Sequence, residues 1–463
     1  MKKLLLINPR NFLKEGLLKY EFSNFPPLGL GIIAALTPDD WEIEILDENF
    51  DKFEFKEADL VGFTAFTSNA YRAYELAGIY KEAGITTVMG GIHATMMWAE
   101  ALQYMDVVVK GEAESIWHQV IKDFEEGNLK KTYEGPRLKA DKIPAARHDL
   151  FHPRYAFSTI QTTRGCPWRC DFCTVHAFNG TAYRQRPVEA VLDEIESTTG
   201  KLLFFVDDNL IGYSKNSEKR TIELLKGMKE RGMNREWFTQ ASINISDNDE
   251  ILQLMADTNC KMVLVGIETE KMEGLEETNK SLNQQVGVNN YNSIFKKLHS
   301  YGIGVLGTFI FALDTDSADD LRARGKWIID SNVDAYQTSV LTPFPGTGTY
   351  RKFVAEDRIK FNNFPEDWQR MRFFENVIHP GKMTHEELNE VLDEVWGEMF
   401  DGKTIINKFR MTLKETRDAS TALWTMVTNS NYGNTIFEGR KYFDPNPIFN
   451  SVPNKLFPKS MIK

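Results

Sequence analysis

The stretch Arg164-Gly165-Cys166-Pro167-Trp168-Arg169-Cys170-Asp171-Phe172-Cys173 decides how the rest of the chain is read. Three cysteines spaced C-x3-C-x2-C, on a short loop after a strand-like run, can hold three irons of a [4Fe-4S] cubane by thiolate. The fourth iron is then left open for chemistry. Zinc is the competing ligand for such a trio, but a structural zinc site closes with four ligands. Only Cys260 is left over, far away and inside an apolar run, where it reads as a packed free cysteine.

Outward from the loop, the chain continues in a regular alternation. Strand-like runs at 157–163, 202–206, 237–243, 262–267, 305–313 and 335–341 are separated by five helical patterns. Six parallel strands suit an incomplete (β/α) barrel, too short for eight repeats. The active face of a parallel barrel lies at the carboxyl ends of its strands. There the apolar runs give way to polar residues: Asp207-Asp208-Asn209, Ser242, Glu268-Thr269 and Asp314.

Ahead of the barrel, residues 1–126 alternate strands at 3–8, 41–47, 59–66, 85–90 and 106–110 with helices. Strands without polar alternation imply a parallel sheet covered on both faces, a doubly wound α/β domain. Such sheets bind ligands at their carboxyl edge. The residues expected there are Asn8, Thr64, Thr67, Ser68, Gly90, Gly91, His93, Thr95, Gly111, Glu112 and Glu114. Ordinary βα turns also favour Gly and Ser, so the same residues fit a purely structural role. Residues 127–153 are polar and punctuated by Pro and Gly, as expected of a linker. The barrel spans 154–345, and 346–463 is expected to be a mostly helical cap.

With 463 residues, 42% hydrophobic and 26% charged, the chain has the composition of a globular protein of two or three domains. A net charge of −11 gives no general attraction to nucleic acid, and no basic patch stands out in the sequence. Four cysteines, three of them clustered, argue against disulfides and for a reducing, cytoplasmic setting. The opening Met1–Asn8 imitates a signal peptide but reads better as a buried strand, and no run is long enough to span a membrane. One expected helix, 404–427, mixes Lys408, Arg410, Lys414 and Arg417, and Lys403 just ahead of it, with Ile405, Ile406, Phe409 and Leu413. That pattern fits core packing or a peripheral membrane contact.

The cysteine loop resembles that of the radical S-adenosylmethionine (SAM) enzymes, including the aromatic Phe172 just before the last cysteine. The resemblance implies that Cys166, Cys170 and Cys173 hold the cluster and that SAM chelates the open iron. One electron then cleaves SAM to a 5'-deoxyadenosyl radical. It also implies SAM contacts at Phe172, Asp207, Ser242 and Glu268, and a low-potential electron donor such as flavodoxin or ferredoxin. Pro26-Pro27-Leu28-Gly29-Leu30, the GG-x-H-x-T loop at 90–95 and V-V-x-GE-x-E at 108–114 resemble the cobalamin-binding domain that precedes many radical SAM domains. The D-x-H-x-x-G element that supplies a cobalt-ligating histidine in some cobalamin proteins is absent.

By this resemblance, the chain is a cobalamin-dependent methyltransferase acting on an unactivated carbon of an organic substrate whose class the sequence does not specify. Two alternatives remain at this level. One is a radical SAM enzyme that couples, cyclises or rearranges its substrate without net methyl transfer. The other is a cobalamin or iron–sulfur sensor without turnover. The methylthiotransferases of transfer RNA fit poorly, since the chain has neither their second cysteine trio nor their C-terminal RNA-binding barrel.

Overall fold

The computed structural model describes residues 1–11 and 25–440. Two six-stranded, all-parallel sheets dominate it, each built because runs such as Leu4-Leu5-Leu6-Ile7 are apolar on both faces and need cover on both.

The N-terminal sheet comprises β1 (Lys2–Asn8), β2 (Trp41–Asp47), β3 (Leu60–Thr64), β4 (Thr86–Gly90), β5 (Val107–Gly111) and β6 (Thr132–Gly135). Their order is β2-β1-β3-β4-β5-β6, so the direction of winding reverses between β1 and β3. The segment expected to be only a linker therefore supplies an edge strand. Thr132–Gly135 pairs with β5 in parallel register from Val108–Thr132 to Gly111–Gly135. Its four residues carry too little apolar pattern to be recognised alone. Between β4 and β5 the connecting helix is split into two short ones, Ile92–Met96 and Trp98–Tyr104.

The second sheet holds β7 (Phe157–Ile160), β10 (Leu202–Phe205), β11 (Trp237–Ala241), β12 (Cys260–Glu268), β13 (Gly304–Phe311) and β14 (Ala335–Val340) in consecutive order, an open six-strand barrel. A two-residue ladder, β8 (Thr163–Arg164) with β9 (Arg184–Gln185), brackets the cysteine loop. Cys260 lies on β12, buried, its thiol pushed up by burial.

Alternate residues of the barrel strands face inward. Phe157, Phe204, Phe238, Met262, Leu306 and Ala335 form one cluster, separate from the larger core between sheet and helices. Phe204 and Phe238 stack in parallel at 4.1 Å, and Phe25 leans on both. The open side is covered by the C-terminal helix Ala419–Arg440, which puts Trp424 against Phe157 and Tyr432 on Gln337.

That helix corrects two sequence expectations. The single helix expected at 404–427 is broken at Arg417, which has φ +56°, into Gly402–Thr416 and Ala419–Arg440. The sequence from Asn429 onward is expected to be a loop-rich tail, but helix continues to Arg440, and the rest of that tail lies outside the described residues. Ile405, Lys408 and Thr412 of Gly402–Thr416 are buried against the barrel, while Ile406 and Phe409 are half-buried and Leu413 is exposed, so protein covers only part of the apolar set considered for lipid. Among the described residues no helix is long and apolar enough to cross a membrane.

Candidate active site

The cysteine loop is pinned from several sides. Cys166 N–H donates to Gly180 O (3.2 Å) and Cys173 N–H to Cys170 O (3.0 Å). Asp171 N–H donates to Thr278 O, Asp171 O accepts from Thr349 N–H, and Arg169 O accepts from Asn279 Nδ2. The backbone that carries the thiols is thus held before any ligand arrives.

All three cysteines are free, Cys170 buried and the other two half-buried. Burial pushes the Cys166 thiol up to about 11 and Cys173 up to about 12, with Cys170 raised for the same reason. Buried thiols without a cation stay protonated, and a thiolate-binding metal centre is what such a donor set lacks. Among the described residues no three His, Cys, Asp or Glu side chains converge on a point that one ion could occupy. A cubane takes its thiolates one per iron, so the trio fits the cluster better than it fits a tetrahedral zinc.

Opposite the loop, Lys280 Nζ donates to Glu268 Oε1 at 2.7 Å, and Thr308 Oγ1 donates to Glu268 Oε2 at 3.2 Å. Glu268 ends β12 at φ +66°, beside a register shift between Gly266 and Glu268. That kink turns its carboxylate into the barrel mouth. Gly266 makes room for the pair, since a Cβ there would stand 2.5 Å from Lys280 Nζ. Burial alone would lower the Lys280 ammonium, but the Glu268 carboxylate outweighs it and holds it charged. Phe172 lies under this lysine, its ring centre 5.9 Å from Nζ.

Of the other residues expected to meet SAM, Ser242 is half-buried at the mouth and held by Asn209, whose Nδ2 donates to Ser242 Oγ at 3.0 Å. Asp207 is turned away from the mouth. Fully buried, it accepts from Thr162 N–H, Thr162 Oγ1 and Thr163 N–H at 2.6–2.7 Å, tying β10 to the start of the cysteine loop. Successive strand-end side chains point to opposite sides, so the carboxylate facing the cysteines is Asp208. Burial pushes Asp208 up to about 6, against the hydrogen bond from Asn179. Neither Asp208 nor Lys280 was singled out from sequence, although the doubled Asp207-Asp208 was the signal for the first.

At the carboxyl edge of the N-terminal sheet, Asn8, Thr64, Gly90 and Gly91 stand half-buried on either side of the β1/β3 reversal, where doubly wound sheets bind ligands. Asn8 donates to Asp47 at 2.8 Å, and Thr95 bridges Gly91 O to Gly111 N–H. Thr67 and Ser68 are buried in the turn after β3. His93 is also fully buried, with Nε2 3.0 Å from Tyr74 Oη and Nδ1 3.4 Å from Thr67 Oγ1, so both ring nitrogens are engaged inside the domain. Gly111 answers to its neighbour strand, because a Cβ there would stand 2.4 Å from Gly135 O. Glu112 and Glu114 reach the barrel: Arg184 and Arg164 bind Glu112, and Arg164 Nη2 donates to Glu114 Oε1 at 2.5 Å. Arg164 is two residues before Cys166, so this edge faces the cysteine loop. The small and hydroxylated rim at β1, β3 and β4 is compatible with a large flat cofactor lying between sheet and loop.

A parallel barrel whose carboxyl mouth carries an open-cornered cysteine trio defines a radical SAM enzyme. Residues 160–328 match the radical SAM superfamily and residues 22–121 match the B12 binding domain. The chain thus carries a radical SAM domain with a B12 binding domain ahead of it, and its cofactors are a [4Fe-4S] cluster, SAM and cobalamin.

Among relatives, the chain is 28% identical to the bacteriochlorophyllide d C-12(1)-methyltransferase of Chlorobaculum tepidum, over 88% of this chain and 90% of that one. It is 24% identical to the anaerobic magnesium-protoporphyrin IX monomethyl ester cyclase of Rubrivivax gelatinosus, over 86% and 75%. The solved structure of the cobalamin-dependent S-adenosylmethionine radical enzyme OxsB superposes with a TM-score of 0.67 at 13% identity. It covers 92% of this chain and 72% of that one, a likeness of fold.

Proposed function

We propose that this enzyme methylates an unactivated carbon of a large, mainly apolar organic substrate, working in the cytoplasm with a low-potential electron donor. The observation that carries the reading is the facing of two edges. The carboxyl edge of the N-terminal sheet and the cysteine loop are joined by Glu112 and Glu114 with Arg164 and Arg184. When bound, the cluster and SAM supply a 5'-deoxyadenosyl radical that removes hydrogen, and methylcobalamin supplies the methyl group.

The chain's own contribution is orientation and exclusion of water. Cys166, Cys170 and Cys173 hold the cluster. Glu268, Lys280, Ser242 and Asp208 supply acceptors and donors at the mouth for the ribose hydroxyls and the amino acid end of SAM. Asn8, Thr64, Gly90 and Gly91 leave a close, hydrogen-bonding floor for cobalamin. The buried, stacked Phe204 and Phe238, with buried Phe157 and half-buried Trp424, close the amino-terminal end of the barrel, so the cavity opens only towards the carboxyl mouth. The substrate class is drawn from the relative from Chlorobaculum, which acts on bacteriochlorophyllide d.

The test is anaerobic reconstitution with iron, sulfide and methylcobalamin, followed by reaction with SAM and a tetrapyrrole substrate. We expect 5'-deoxyadenosine, S-adenosylhomocysteine and a product heavier by one CH2. The cyclase relative favours a second reading without methyl transfer. A product lighter by two hydrogens and no S-adenosylhomocysteine would establish it in place of the first.

A further inference from the structure

On the outer side of the cysteine loop lies a pocket of about 490 Å3 into which three arginines converge: Arg137, Arg169 and Arg351. All three are exposed. Arg137 donates only to Phe178 O (3.4 Å) and Arg351 only to Gly346 O (3.1 Å). Among the described residues none of the three has an ion-pair partner. The chain carries a net charge of −11, and Arg164, Arg184, Arg231, Arg322 and Arg358 are bound to carboxylates, whereas these three guanidinium groups gather at one exposed pocket. Asp171 shares the pocket without pairing with any of them. The local field is positive: burial first, then Arg169 and Arg351, lower the pKa of His176 in the same wall, against Asp171.

The wall of this pocket is the cluster loop itself. Arg169 directly precedes Cys170, and Asp171 directly follows it. We infer that this pocket is the docking point for the acidic face of a one-electron carrier protein, which delivers its electron to the cluster through the Cys170 side of the loop. The inference rests on the cluster assignment. Exposed, unpaired guanidinium groups at a rim suit long-range steering of an opposite surface better than capture of a small ion, which needs desolvated donors. In the step itself one electron leaves the carrier and one enters the cluster, and no atom is transferred.

The experiment compares the wild-type holoenzyme with Arg137→Glu/Arg351→Glu, two residues outside the cysteine motif. Recombinant flavodoxin is the acidic probe, and binding is measured by calorimetry at several salt concentrations. Cluster reduction is then followed by loss of visible absorbance with flavodoxin or dithionite as donor. We expect flavodoxin affinity to fall about tenfold or more and its salt dependence to flatten. Reduction by dithionite, iron content and melting temperature should stay unchanged. Equal flavodoxin binding by both proteins overturns the docking inference, as does a raised substrate KM with dithionite, which would make the pocket an anionic substrate site. Absence of iron from the wild-type protein would instead overturn the cluster assignment beneath it.

Discussion

Glu112, just beyond the fifth strand of the N-terminal sheet, accepts a hydrogen bond from Arg184 Nη1 of the barrel at 3.0 Å, across 72 residues of sequence. Burial alone would raise the Glu112 carboxyl, but Arg184, Arg164 and the N–H of Leu138 hold it below the usual carboxylate range. The two halves of the enzyme are thus joined by a buried ion pair beside the cysteine loop. Removing one partner leaves the other charge buried and unpaired. Glu112→Ala should therefore cost about 3 kcal/mol of unfolding free energy, measured by urea titration. An unchanged midpoint would show that the domains are held elsewhere.

Each of Cys166→Ala, Cys170→Ala and Cys173→Ala should lose the cluster's visible absorbance and abolish release of 5'-deoxyadenosine under reductant. Cys260→Ala, on a buried strand with its thiol donating to Met262 O (3.6 Å) within the core, should keep both. Iron analysis of the four anaerobically purified variants distinguishes them.

Asp207 organises the loop without facing it. Asp207→Ala strands the N–H groups of Thr162 and Thr163, each a desolvation cost of about 1–3 kcal/mol. We expect a lower melting temperature and reduced iron content although all cysteines are present. Full iron loading in this variant would contradict a positioning role.

The pair of Glu268 and Lys280 gives a coupling prediction. Lys280→Met should destabilise the protein by about 3 kcal/mol, because the Glu268 carboxylate is left buried without its partner. The double variant Glu268→Gln/Lys280→Met should be more stable than the sum of the single effects implies, and all three variants should bind SAM more weakly. Urea unfolding and equilibrium dialysis with SAM provide the two readouts.

Lys408 carries a pH signature. Its ammonium is buried and donates to Ile328 O, Ser331 O and Val333 O, each at 2.8 Å, at the end of the helix Ala318–Asp330. Burial pushes it down to about 7 from 10.5, against the pull of Asp334 and Asp330. Between those values the unfolded chain binds more protons than the folded one. Stability should therefore rise with pH from 7 towards 10, by up to about 1 kcal/mol per pH unit. Lys408→Met should flatten that rise in chemical denaturation measured at each pH.

The cluster motif, both parallel sheets and most strand boundaries were legible in the sequence, because each rests on local pattern. Three cysteines within eight residues need no partner elsewhere to be recognised, and a run such as Leu202–Phe205 is apolar wherever it is placed. Thr132–Gly135 escaped because an edge strand of four residues is defined by the neighbour it pairs with.

What only the tertiary structure decided is which polar residues face the site. Sequence places Asp207 and Asp208 together at a strand end and the resemblance picks out Asp207, but strand pleating buries the first under Thr162 and turns the second to the cysteines. It marks His93 and Glu112 as rim residues, yet Tyr74 encloses one and Arg184 binds the other. Side-chain direction and long-range pairing depend on chain segments dozens of residues away. They become defined only when the two sheets meet around the loop.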